Sequence, residues 1–170
     1  MPENDVLVQT PAWLLTPHEH FKVALDESSM QEYIRDPQAY LIPDAVEYCN
    51  QVIVWRNHFT PVMDLSLILG GEALSVNHLA IVAYQEYAEQ KPKYLAIKLV
   101  NEVEKLTVID DTACDWPKEY PIEIQPLVQS LFMNEGELTS VINVADLCNE
   151  GYKNYLMEIA ALLSKKRSND

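Results

Sequence analysis

A chain of 170 residues, 48% of them hydrophobic, is the size of one domain and can bury a core unaided. Lys and Arg number 12 against 26 Asp and Glu, so the formal charge is −14. The acid is spread along the chain, and such a surface repels phosphate backbones and anionic lipid heads; this excludes nucleic-acid and membrane partners and leaves apolar patches or local positive charge as points of contact.

The first residues, MPENDVLVQTPAWLL, place acids where a secretory signal needs positive charge, and no apolar run reaches the ~18 residues of a membrane span. A soluble, cytoplasmic protein is the expectation. From there, short apolar runs separated by turn residues predict strands at 13–15, 21–25, 30–34, 51–55, 59–63, 79–84, 94–100, 103–109, 127–133 and 138–143. So many short strands point to small barrels or a sandwich. His18 and His20, between the first two strands, share one side of a strand edge, but no third ligand stands at a recognisable spacing. Solvated loop histidines are the plainer reading.

Residues 49–70 read CNQVIVWRNHFTPVMDLSLILG. The run from Gln51 to Trp55 is β-branched, too short for a helix and stopped at once by polar residues, so it reads as a buried strand in which Val54 fills core volume. The run from Phe59 to Met63 is its partner. Arg56, Asn57 and His58 form the reversal between them, with Asn57 suited to a left-handed turn and Arg56 displayed to solvent. Asp64 then reads as an N-cap, the following LSLI as one helical turn, and Gly70 as its stop.

Further along, residues 110–126 hold three prolines and read as a long connection between two β units. NEGE at 134–137 is another hairpin turn, in which Gly136 supplies positive φ. Asn149 is placed to cap a last helix whose Tyr152, Tyr155, Leu156, Ile159 and Leu163 share one face, with Lys165, Lys166 and Arg167 at its negative dipole end.

Little catalytic chemistry is visible. Cysteines 49, 114 and 148 are odd in number and form no Cys-x-x-Cys pair, which suggests neither a disulfide framework nor a zinc knuckle. The glycines, at 70, 71, 136 and 151, leave no phosphate loop, and no Gly-x-Ser-x-Gly elbow exists. His58 and Asp64 are better read as a turn residue and a helix cap than as an acid–base pair. No cofactor, metal or catalytic residue is expected, and the absence points to a binding role.

The stretch QVIVWRNHFTPVMDLSLILG resembles the signature of CheW-like chemotaxis coupling proteins, with Trp55, Arg56, Pro61, Val62, Asp64, Leu65 and Gly70 matching as they stand. MQEYIRDPQAYLIPDAVEYC, YLAIKLVNEVEKLTVI and LFMNEGELTSVINVADL are similar to the family's flanking strands and closing hairpin, so the likeness covers nearly the whole chain. It implies a mostly β fold of two small intertwined five-stranded SH3-like barrels, with a short internal helical turn and a C-terminal helix. One CheW-like domain over 1–170 follows, divided into a sub-barrel at about 12–75, a second at about 76–148 and the helix at 150–166. The resemblance also implies a non-enzymatic adaptor between a CheA-type histidine kinase and the tips of methyl-accepting chemoreceptors, meeting partners through Arg56, Asn57, Gln51, Trp55, Met30 and Leu79. Gln51 and Asn57 stand where the family usually has glycines, and Asn101 where an aspartate is common, which marks a divergent member.

Two other readings belong to different classes. One is a small-ligand or enzymatic cleft between the barrels with His58, Arg56 and Asp64 at its mouth. The other is a structural assembly subunit that only self-associates. For the adaptor, a monomer or weak self-associator is expected, because the acidic surface repels copies of itself.

Overall fold

Short runs that bury alternate residues, broken by tight turns, can only be satisfied by pairing, and the computed structural model, which describes residues 9–109 and 112–168, arranges them as two sheets. In the first, β1 (Gln9–His18) pairs antiparallel with β2 (Phe21–Asp26) and with β9 (Glu104–Ile109). β10 (Val128–Asn134) and β11 (Glu137–Ile142) form a hairpin, and β11 adds in parallel to β2, which gives the order β10-β11-β2-β1-β9.

The second sheet holds β3 (Met30–Arg35), β4 (Tyr40–Leu41), β5 (Gln51–Trp55), β6 (His58–Met63), β7 (His78–Tyr84) and β8 (Lys93–Lys98), in the order β3-β7-β8-β6-β5-β4. Trp55 Nε1 on β5 donates to Glu32 Oε2 on β3 at 2.5 Å, so two strands far apart in the sheet order meet and the sheet curls. The architecture is mostly β, as expected, with two SH3-like barrels and few helices: α1 (Leu65–Ile68), α2 (Val144–Leu147) and α3 (Glu150–Ser168).

Division of the strands differs from the one expected. The barrels do not split the chain near residue 75: one sheet takes residues 9–26 and 104–142, the other 30–98. The cause is the parallel β2–β11 pairing, Thr139 opposite Lys22, which joins segments at opposite ends of the sequence and leaves no local trace in either. β1 is also longer than expected because it admits Pro11 and Pro17, and β4 was not foreseen, being only two residues between Pro37 and Pro43. Residues 110 and 111, the start of the long connection, lie outside the described residues.

Both faces of the second sheet are buried at its centre. Leu79, Ile81, Ala96, Val62, Ile53 and Trp55 fill a small core inside the barrel. Ala80, Val82, Leu95, Ile97 and Met63 point the other way, into a larger core shared with Leu15, Val23 and Leu25 of the first sheet and with Ile124, Leu127 and Tyr152. The barrels are therefore welded by one continuous apolar layer. α3 adds to it through Tyr152, with Tyr155 and Leu156 packed alongside, and its Tyr152 and Tyr155 hydroxyls donate to the Glu123 and Ile122 carbonyls, both at 2.7 Å. Leu163, expected on the packed face, is 44% exposed, because α3 runs on past its support.

Candidate functional site: the β5–β6 hairpin

Trp55 and His58 are the last opposed pair of the β5–β6 ladder, so the reversal is a two-residue turn of Arg56 and Asn57. Both have positive φ, +45° and +64°, as a type I′ turn requires. Asparagine tolerates that conformation; for arginine it is uncommon and costs about 1–2 kcal/mol. His58, expected in the turn, is the first residue of β6.

The Arg56 guanidinium lies 4.6 Å above the Trp55 ring and makes no ion pair among the described residues. Trp55 is buried beneath it, edge-on to Tyr94 at 4.9 Å and anchored by Glu32, while Tyr94 also faces the His58 ring at 5.4 Å. The arginine thus rests on a braced aromatic platform.

Strand alternation sets what lies around it. Ile53 and Trp55 face the core, so Val54 faces water, and it is 56% exposed; the expectation that it fills core volume is corrected by the two-residue turn, which fixes the faces. Opposite Val54 stands Phe59, 82% exposed. The next row aligns Tyr40, Val52 and Pro61 across β4, β5 and β6, with Tyr40 exposed and the other two half-buried. The result is an outward apolar face with one cation at its tip.

Of the residues expected to meet partners, Arg56 and Asn57 are exposed together at the tip. Gln51 is half-buried at the other end of β5, paired with Val62, and Met30 is half-buried against the larger core. Trp55 supports Arg56 from below, and Leu79, 0% exposed in the smaller core, touches no solvent and cannot be a contact. Phe59, Val54 and Tyr40, exposed on the same hairpin face, are not among the residues expected there. Their signal was present: once the turn is two residues long, period-2 counting from Trp55 puts Val54 outside.

Asp64, His58 and Arg56 do not converge. Asp64 follows the far end of β6, about 20 Å along the strand from the turn, and is 1% exposed. Its Oδ1 accepts from Ser66 N and Leu67 N at 3.0 and 3.3 Å, and its Oδ2 from Leu74 N at 2.9 Å, with Lys98 Nζ 3.7 Å away. Lys98 itself donates to the Leu74 carbonyl at 3.0 Å. Held by three backbone N–H groups and sealed from solvent, this carboxylate caps α1 and pins residue 74, a structural acceptor with no access to a substrate. His18 and His20 have ring centroids 5.9 Å apart, and no group of three metal-ligating side chains forms among the described residues. At the barrel junction, burial pushes the Cys148 thiol above its ordinary value, with the Tyr84 hydrogen bond opposing, and burial together with Cys148 does the same to Cys49.

The model of the CheW-like domain matches residues 17–151. The chain belongs to that family, a class of non-enzymatic scaffold proteins of chemotaxis signalling. Among solved structures, the scaffolding protein TtCheW from Thermoanaerobacter tengcongensis is similar in fold, with a TM-score of 0.60 and 16% identity over 81% of this chain and 90% of that one. No curated protein sequence matches. No helix among the described residues is long and apolar enough to cross a membrane.

Proposed function

We propose that this chain is a cytoplasmic adaptor that couples a CheA-type histidine kinase to chemoreceptor tips, and that the β5–β6 hairpin is a recognition surface. The observation that carries the second part is the exposed Val54–Phe59 pair beside an arginine that has an aromatic support and no carboxylate partner among the described residues. Arginines and aromatics dominate the energetics of interfaces, and a strained turn residue such as Arg56 is retained where its position matters more than its cost.

Binding of the chain to a CheA-type regulatory domain and to a receptor cytoplasmic fragment tests this. Arg56→Ala and Phe59→Ser should each weaken at least one of the two by about 2 kcal/mol, some 30-fold, without unfolding the protein. If both variants bind both partners as the wild type does, the hairpin is not the recognition surface. If the wild type binds neither and only self-associates, the adaptor reading itself fails in favour of an assembly subunit. A catalytic cleft built on His58, Arg56 and Asp64 has no geometric support, since Asp64 is sealed and lies at the far end of β6.

A further inference from the structure

A half-open cleft of about 290 Å³ lies well away from the hairpin, where the β1–β2 turn, the end of α1, the connection and β11 meet. Phe21, Leu69, Leu138 and Pro117 make its walls apolar, and His18, His20 and Glu119 stand at its lining. Tyr120 and Ser140 also line it, and their hydroxyls meet at 2.5 Å. Ser140 is 1% exposed and Tyr120 is buried. Two hydroxyls carry two protons, their mutual bond uses one, and neither oxygen has another partner among the described residues. Whichever of them donates, one O–H remains unspent in a buried wall.

We propose that this cleft is a binding site for a small, neutral, single-ring aromatic compound bearing a carbonyl oxygen, a site independent of the adaptor contacts. Size selects the ring: an apolar cavity of about 150 Å³ is enough to take benzene, and this cleft is roughly twice as large, which admits one ring with a short substituent. The leftover hydroxyl proton selects an acceptor on that substituent, because an unpaired buried donor gains a full hydrogen bond. Charge selects neutrality. The chain carries −14, and Glu119 stands at the lining, so a carboxylate-bearing analogue meets repulsion on approach. Tyr120 is held in place for this role by Trp116, edge-on at 4.8 Å, and by Phe21 at 6.3 Å.

An NMR titration of the ¹⁵N-labelled full chain with acetophenone, ethylbenzene and benzoate tests it. Acetophenone should give saturable shifts confined to amides near residues 18–21, 69, 117–121 and 138–140. Ethylbenzene, the same shape without the acceptor, and benzoate should each bind about tenfold more weakly, the loss of one hydrogen bond or the gain of one repulsion. The double variant Tyr120→Phe/Ser140→Ala, which removes both hydroxyls, should lower acetophenone to the level of ethylbenzene while leaving ethylbenzene unchanged, whereas Ser140→Ala alone frees the Tyr120 O–H and should keep the preference for acetophenone; Leu138→Trp should abolish both by filling the space. No saturable shift with acetophenone at low-millimolar concentration, equal binding of acetophenone and ethylbenzene to the wild type, or shifts scattered over the surface would overturn the proposal. None of these outcomes depends on kinase or receptor binding.

Discussion

Arg56 shows how one side chain can be costly to the fold and still be kept. It holds φ at +45° and its contact within the chain is the Trp55 face. Arg56→Ala loses that stacking and keeps the left-handed strain; Arg56→Gly loses the same contact and relieves the strain. Urea unfolding should therefore find the glycine variant more stable than the alanine variant by about 1 kcal/mol, although both lack the guanidinium. Equal stabilities would mean that the turn relaxes once arginine is gone. Val54 and Ile53, neighbours on β5, should behave oppositely: Ile53→Ala costs about 2–5 kcal/mol by opening a cavity in the smaller core, and Val54→Ala stays within about half a kcal/mol because its side chain faces water. Asp64→Ala strips three backbone N–H groups and Lys98 of one buried acceptor, so a loss of about 3 kcal/mol or more is expected in the same measurement, with Asp64→Asn between that value and the wild type.

Elements divide into those whose signals are local and those whose signals are not. The Asp64 cap, the Gly70 stop at φ +81° and the Gly136 turn at φ +80° are all legible, because each rests on the chemistry of a few adjacent residues. The strands other than β4 are legible for the same reason. β4 is not, because two residues carry no period, and its place was set by pairing with β5 rather than by its own propensity. The hairpin face was half legible: the arginine at the tip follows from the motif, but the outward Val54–Phe59 pair requires the turn length, and that depends on Arg56 adopting a conformation its residue type disfavours. α3 shows a boundary set by tertiary support. Ile159 is buried and Leu163, one turn on, is largely in water, so Ile159→Ala should lower the urea midpoint clearly while Leu163→Ala leaves it unchanged.

For the whole molecule, the larger core makes alkaline stability a shared property of both barrels. Cys49, Cys148, Tyr84 and Tyr152 all pack on that core, and burial raises each above its ordinary value, 9.0 for the thiols and 10.0 for the phenols. Between the ordinary and the raised values the unfolded chain releases protons that the folded chain retains, so stability is fully present below about pH 9 and falls as pH rises beyond it. Denaturant midpoints measured from neutral pH upward should decline from that point, and replacing Cys49 and Cys148 together by alanine should remove the earliest part of the decline. A flat profile to pH 11 would show that these groups ionise freely in the folded state.

The interleaved strand order also fixes a sequence of events during synthesis. By the time Lys98 has left the ribosome, every strand of the second sheet is available, whereas the β1–β2 hairpin still waits for β9 on one side and β11 on the other. Until the last third of the chain emerges, Ala80, Val82, Leu95 and Ile97 have lost much of their cover, and the free edge of β2 is a template for any passing strand. A polypeptide ended just after Lys98 should accordingly sediment as aggregate, and supplying residues 99–170 in trans should return part of it to solution. The nascent protein is thus most exposed to its neighbours when its second barrel is already formed, and that exposure ends only when β11 reaches the waiting edge of β2.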